Sequence, residues 1–338
     1  MLEALSPKSI APQARILFPG IAVAVLVAVT AKFLSEHYAT PAMLMALLLG
    51  IAMGFMSEDG KTVSGINFSS RTILRIGVAF LGARISFDLL LGLGPAMIAL
   101  VISGLVATIG FGLVVGRFFG SRWRFSFLTS GSVAICGASA AMAIAAILPK
   151  DERSEERLIF TVVGVTVLST IAMIAYPILV DYLQLTSEQA GIFLGGTIHD
   201  VAQVVGAGFT ISDETGDTST LVKLIRVAML APVIFVASII IRASHGADDT
   251  QARPPLLPFF VIGFLAIATV NSLGFVPALV ADLLGETSRW FLLIAIAAVG
   301  MKTNLRQVLS VGPAAIGLIV AETLFIAVFI LAGLYLLT

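Results

Sequence analysis

The chain has 338 residues, 58% hydrophobic and 12% charged, with a mean hydropathy of +1.05. A soluble domain carries about 25% charged residues, so a soluble globular protein is excluded. Twenty Lys and Arg balance twenty Asp and Glu, which excludes a basic nucleic-acid surface, and the single Cys136 excludes an intramolecular disulfide.

Taken in chain order, the apolar runs predict an all-α polytopic membrane protein. Nine spans are expected, over 16–34, 39–56, 71–85, 94–117, 158–181, 220–242, 256–276, 288–302 and 312–337, most of them near the ~20 residues that cross the hydrocarbon. A β-barrel needs alternating segments of ~10 residues, and the sequence has none. The first run reads as an uncleaved helix rather than a signal peptide, because no exported domain follows it. Two further segments, 125–148 and 189–210, are apolar but broken by small and polar residues. They either span or re-enter as hairpins. The hairpin reading gathers Lys8, Arg15, Arg117, Arg122, Arg124, Lys150, Arg153 and Arg157 on one side, which the positive-inside rule makes cytoplasmic together with the N-terminus.

The chain also repeats itself. An offset of 218 positions lays Ser70-Arg71 on Ser288-Arg289, Gly82 on Gly300, Arg84 on Lys302 and Gly94-Pro95 on Gly312-Pro313, with 12 identities in the 31 positions from 70 to 100. The copies, about 39–118 and 256–337, are separated by an odd number of crossings and are therefore expected to be inverted. Inverted repeats give two conformations of similar energy, one open to each side, which is the basis of alternating access.

The broken segments carry the chemistry. The first reads Gly131-Ser132-Val-Ala-Ile-Cys136-Gly137-Ala-Ser139; the second reads Gly195-Gly196-Thr197-Ile-His199-Asp200-Val-Ala-Gln203-Val-Val-Gly206. Irregular backbone at membrane depth is tolerated where protein or a water-filled cavity covers it. Helix N-termini exposed there offer N–H donors and partial positive charge to an anion. Ser132, Cys136, Gly137, Ser139, Thr197, His199 and Gln203 are the expected substrate-binding residues. His199, Asp200 and Glu322 are candidates for proton or ion coupling, since ionisable groups in a bilayer are costly and usually functional. The bland alternatives are close helix packing for the small residues and a stitching His–Asp pair.

Arg84, Lys302 and Asn304, at equivalent ends of the repeats, flank a pathway or merely snorkel. Lys223 and Arg226 open the span after the second break, and read as path-flanking groups or, more simply, as interfacial anchors. Asn271 joins Glu322 among the polar groups inside spans. No catalytic constellation, metal-ligand set or Walker motif is legible, so neither an enzyme nor ATP drive is expected.

Ile135-Cys136-Gly137-x-Ser139-Ala140, the charged loop Lys150–Arg157, Gly196-Thr197-Ile198-His199-Asp200-x-Ala202-Gln203-Val204-Val205 and Thr220-Leu-Val-Lys223-Leu-x-Arg226 resemble a bacterial family of uncharacterised membrane proteins, the YeiH-like family. The resemblance covers essentially the whole chain. It implies a multi-pass protein of the bacterial inner membrane, an architecture similar to the sodium/proton antiporter and bile-acid symporter superfamily, and the family's label of sulfate exporter linked to organosulfonate breakdown.

The expectation is therefore a secondary transporter of a small anion, sulfate or a related sulfur oxyanion or sulfonate, with no cofactor and no metal. The alternatives are a sodium- or proton-coupled transporter with a cation site at Asp200 and Glu322, and a membrane enzyme or sensor. Partners are the anion, H⁺ or Na⁺ and the bilayer; a homodimer is compatible with the scaffold, though no dimer motif is legible.

Overall fold

A computed structural model describes residues 7–38, 42–58, 60–84, 92–149, 151–245, 259–303 and 313–337. All regular structure in them is helical. Six helical stretches are long and apolar enough to cross a membrane: Arg15–Tyr38, Gly94–Phe119, Glu156–Tyr182, Asp213–Ile241, Ala278–Lys302 and Ala314–Leu337. The chain is a polytopic membrane protein.

The other expected spans take shorter forms. The run 39–56 contains α2 (Ala42–Ala52) after α1 (Pro7–Tyr38). The run 71–85 lies in a continuous helical path made of α3 (Val63–Phe68), a π-turn at Ser69–Ile73, α4 (Leu74–Leu81) and a 3-10 turn at Gly82–Arg84. A π-turn inside a helix offsets the faces on either side of it, which blurs the apolar period a sequence reading relies on. The run 256–276 holds α13 (Phe259–Ser272), of 14 residues. Conversely, 288–302 is only the second half of α14 (Ala278–Lys302); Asp282 and Glu286 in its first half hid the start.

The chain forms two compact units. The first comprises residues 1–86 and 263–304. Here α1 packs on α3 and α2 on α14, and both crossings are made by glycine. A Cβ on Gly20 would meet the backbone of Thr62, Gly65 and Ile66, and one on Gly50 would meet Ala297 and Gly300. Such small-residue contacts let backbones approach where no water drives apolar association. The two repeated stretches meet in this unit: the Ser288 hydroxyl donates to the Gly77 carbonyl at 2.6 Å and Phe80 stacks on Phe291 with centroids 6.1 Å apart.

The second unit comprises residues 87–262 and 305–338. It contains α5 (Gly94–Val115), α6 (Trp123–Ala134), α7 (Ala138–Ile147), α8 (Ser154–Tyr182), α9 (Ser187–Thr197), α10 (Val201–Ile211), α11 (Asp213–Ala228), α12 (Leu230–His245) and α15 (Pro313–Leu337). Each broken segment is a pair of short helices, α6–α7 and α9–α10. Around them, α11 packs on α9 and α10, α8 on α7 and α10, and α15 on α5, α6 and α9.

Candidate substrate crossover

The two breaks arise from local sequence. Ile135 and Gly137 interrupt the first pair; Gly137 has φ +60° and ψ −124°, a conformation open to glycine and strained for other residues. In the second pair a capping box between Thr186 and Gln189 starts α9. Ile198 and Asp200 are then extended, with ψ 139° and 146°, so the helix stops and α10 restarts at Val201.

A helix end leaves its last carbonyls without backbone donors. In this unit two cations from α11 supply the donors. Lys223 Nζ donates to the Ile135 carbonyl at 2.8 Å and to the Ile198 carbonyl at 2.9 Å. Arg226 donates from Nε to Ala134 at 2.8 Å and from Nη2 to Val133 at 2.7 Å. Its Nη1 donates to Gly195 and Ile198, both at 3.1 Å. Both side chains are buried, at 0% and 1% exposure. Positive charge at helix C-termini is favourable, and each cation serves both breaks at once. Residues three apart share a helix face, which is why one turn of α11 can do this. The reading of Lys223 and Arg226 as interfacial anchors is thus overturned by their burial and their carbonyl partners. Among the described residues, no ion pair joins either to a carboxylate.

The opposite ends, the N-termini of α7 and α10, are more open. Ala138, Asp200 and Val201 are half-buried and Ser139 is exposed. The Asp200 carboxylate lies against Gly137, where a Cβ would collide with its Oδ1, and near the Ala138 N–H and the Thr166 hydroxyl. An internal anion thus already sits at one of the two N-termini. The Asp200 backbone N–H donates to Ser169 Oγ at 3.0 Å.

The remaining expected site residues are mostly buried and locally engaged. Ser132 donates to the Leu128 carbonyl and Thr197 to the Phe193 carbonyl. Cys136 lies in the first break, buried. Gln203 Nε2 reaches Thr170 Oγ1 at 3.4 Å and its Oε1 is unpartnered. His199 Nε2 meets Thr323 Oγ1 at 3.0 Å, while Nδ1 makes no hydrogen bond. Glu322, fully buried, accepts from Thr129 Oγ1 at 2.9 Å through Oε1 and leaves Oε2 unpartnered. Adjacent residues of α15 therefore touch the first half-helix of one break and the histidine of the other. Arg84 and Lys302 belong to the first unit, at the ends of the 3-10 turn and of α14; Asn304 lies outside the described residues. Asn271 is on α13, also in the first unit. Among the described residues no cluster of three His, Cys, Asp or Glu could hold a metal ion.

Thr129, Thr166, Ser169, Thr170 and Thr323 are partners that sequence reasoning missed. A hydroxyl in an apolar helix bonds its own i−4 carbonyl by default, so nothing in the sequence marked these.

Comparisons with known proteins agree with the resemblance. The family model described as conserved hypothetical protein 698 matches residues 19–319. The UPF0324 membrane protein TauZ of Paracoccus pantotrophus is 63% identical over 322 residues, 95% of each chain. The UPF0324 membrane protein RB0971 of Rhizobium meliloti is 61% identical over 319 residues, 94% of this chain and 92% of that one. The UPF0324 membrane protein CT0845 of Chlorobaculum tepidum is 50% identical over 317 residues, 94% and 88%.

Proposed function

The chain belongs to the YeiH-like family described as conserved hypothetical protein 698, and from that premise we propose that it is a secondary transporter of a small oxyanion, with the α6–α7 and α9–α10 crossover as its substrate site. One observation carries this reading. The carbonyl ends of both broken helices are held by Lys223 and Arg226, which leaves the N-terminal ends, with their N–H donors, as the accessible face.

The same observation weighs against a sodium site. In discontinuous transporter helices, unwound carbonyls and C-terminal helix ends bind the cation and N-termini bind the anion. Here the carbonyls already have fixed cations. Two cations against the single carboxylate of Asp200 leave one net positive charge at the crossover. A monoanion such as a sulfonate, or a dianion such as sulfate with one proton, brings the loaded site to neutrality, the form least costly to move through a low-dielectric layer. The incoming anion replaces the Asp200 carboxylate at the α7 N-terminus. The unpartnered Oε2 of buried Glu322 and Nδ1 of His199 favour H⁺ as the coupling ion.

The 218-residue offset supports inverted repeats and alternating access, in an architecture similar to the sodium/proton antiporter and bile-acid symporter superfamily. The protein acts without enzymatic chemistry, from the bacterial inner membrane, with its N-terminus in the cytoplasm. The test is uptake of radiolabelled sulfate and of small sulfonates into proteoliposomes, with and without a pH gradient, in Na⁺ or K⁺ salts. Expected is uptake that follows the pH gradient and ignores the choice of Na⁺ or K⁺. Liposomes that move none of these anions sink the substrate, and uptake that requires Na⁺ sinks the coupling scheme.

A further inference from the structure

Outside the crossover, a buried carboxyl stands without a charged partner. Glu322 lies nearly midway along α15 and is fully buried. Its Oε1 accepts from Thr129 of α6 at 2.9 Å, and its Oε2 has no hydrogen-bond partner. Glycine makes the room: a Cβ on Gly112 of α5 would collide with Ser130 and with Glu322 Oε1 alike. Of the elements packed on α15, α5 carries no ionisable residue, and Arg117 in the 3-10 turn Gly116–Phe119 is exposed. Arg124 of α6 and Glu155, Glu156 and Arg157 of α8 lie in first turns, where Arg124 and Arg157 face Asp151. Tyr176, Asp181 and Tyr182 lie toward the other end of α8, and Glu188 opens α9. An isolated charge is costly in an apolar interior, and a proton is the ligand that removes it without bringing a counter-ion.

A row of buried hydroxyls leads to this carboxyl. Ser126, Thr129 and Ser130 share one face of α6. The Thr129 hydroxyl has one proton and three acceptors in reach: Glu322 Oε1 at 2.9 Å and the Phe125 and Ser126 carbonyls, both at 3.2 Å. It can therefore turn toward the carboxyl or away from it. Ser130 donates to the Ser126 carbonyl at 2.6 Å. Ser126 Oγ, the outermost of the row, is buried with no partner, although a helical serine bonds its i−4 carbonyl by default. Residues three apart on a helix face stand about 5–6 Å from each other, a gap that one water spans. A Cβ on Gly116 would meet Ser126 Oγ and Ser121. Ser121 and Phe125, with Arg122, Arg153, Glu156 and Arg157, line a cavity of about 460 Å³ at that end of α6. The row thus begins where water reaches and ends at Glu322. His199 is less suited to the same task. Ile198, the residue before it, already takes Lys223 and Arg226, so a proton on the ring would add a third cation to the crossover.

We propose that Glu322 carries the coupling proton, and that Ser126 and Thr129 are the path by which this proton exchanges with the cavity at the start of α6. The proton comes from water, turns Oε2 into a hydroxyl and leaves as it came, and no bond to carbon is made or broken. Thr323, the next residue of α15, meets His199 Nε2 at 3.0 Å, so occupancy at Glu322 is felt at the crossover one residue away. The coupling role rests on the transport reading above; the proton site itself does not.

Infrared difference spectra of the purified protein in lipid, taken between acid and alkaline buffer, report the C=O stretch of protonated carboxyls. Expected is a titrating band that disappears in Glu322→Gln and stays in Asp200→Asn; if Glu322→Gln does not fold, a frequency shift of that band in Glu322→Asp decides the assignment. After a pH jump the band is expected to equilibrate several-fold more slowly in Ser126→Ala, which removes only an unpartnered hydroxyl. It is expected to keep the wild-type rate in Ser238→Ala, an exposed serine of α12. In proteoliposomes, Glu322→Gln is expected to lose uptake of labelled sulfate or sulfonate driven by a pH gradient, and to keep exchange of labelled for unlabelled anion. A titrating Glu322 band in a wild-type protein that moves no anion sinks the transport reading and leaves the proton site standing. A band that Glu322 substitution does not touch, or pH-gradient drive that survives in a folded Glu322→Gln protein, overturns the proposal. An unchanged rate in Ser126→Ala overturns the path.

Discussion

Replacing Arg226 with methionine tests the account of the crossover most directly. The side chain makes four hydrogen bonds to main-chain carbonyls, between 2.7 and 3.1 Å, and is 1% exposed. Hydrogen bonds to a charged group contribute about 1.5–3 kcal/mol each, so the gross loss is roughly 6–12 kcal/mol. Methionine also removes the desolvation cost of the guanidinium, several kcal/mol. The four buried carbonyls left without this donor cost about 1–3 kcal/mol each, and against the relieved desolvation the net loss is about 3–5 kcal/mol. A change of 1 kcal/mol moves the midpoint of a unit of this size by about 2–4 °C, so the detergent-purified variant is expected to melt roughly 10 °C lower. The assay heats aliquots, then measures the surviving monodisperse protein by size exclusion. Arg226→Lys loses less, because one ammonium reaches fewer of the four carbonyls. Arg289→Met is the control: that side chain is 43% exposed beside Glu286 and its loss is expected to cost under ~1 kcal/mol. An Arg226→Met midpoint within about 2 °C of the wild type would refute the claim that this guanidinium ties the broken helices together.

Gly137→Ala places a Cβ against the Asp200 carboxylate at a positive φ; the backbone alone costs about 1–3 kcal/mol, and the variant is expected to melt several degrees lower and to lose oxyanion binding at the crossover, both readable in one ligand-dependent melting series. Cys136, the only thiol and 5% exposed, is expected to resist a maleimide in native membranes and to react fully in SDS, as gel-shift labelling shows; rapid native labelling contradicts a closed first break. Asp151 has its carboxyl held down by Arg157 and by Ser154, so the order it lends the 151–157 turn is full above its ordinary 3.8 and is lost as pH falls below that. Amide exchange of this turn is expected to speed up on acidification in the wild type and to be fast at every pH in Asp151→Asn; an unchanged pH profile in that variant counts against the pair.

The long helices α5, α8 and α15 were legible because continuous apolar runs have one outcome in lipid. The breaks at 135–137 and 198–200 were legible from their Gly, Ser and ionisable residues, which are costly in a membrane helix unless they serve a purpose. Of the helical path 63–84, the part from 71 on was legible as a span, but its start at Val63 was not, since the π-turn at Ser69–Ile73 shifts the apolar period. Nor was the place of Lys223 and Arg226: near the start of an apolar run, a cation reads as a snorkelling anchor, and only tertiary structure brings carbonyls 88 and 93 positions away to meet it. The hydroxyls around His199, Asp200 and Glu322 were silent for the same reason, their partners lying 31, 124 and 193 positions distant.

Lys223 and Arg226 also set the mechanical freedom of the second unit. Each of these two side chains is fastened to both α6–α7 and α9–α10, and both grow from one turn of α11. Swinging one broken helix away from the other strains the bonds of both cations at once, and both side chains are buried, at 0% and 1% exposure. The crossover therefore behaves as a welded joint with almost no internal degrees of freedom, and compliance must lie at its periphery: in the accessible first turns of α7 and α10 and in the loops that lead to them.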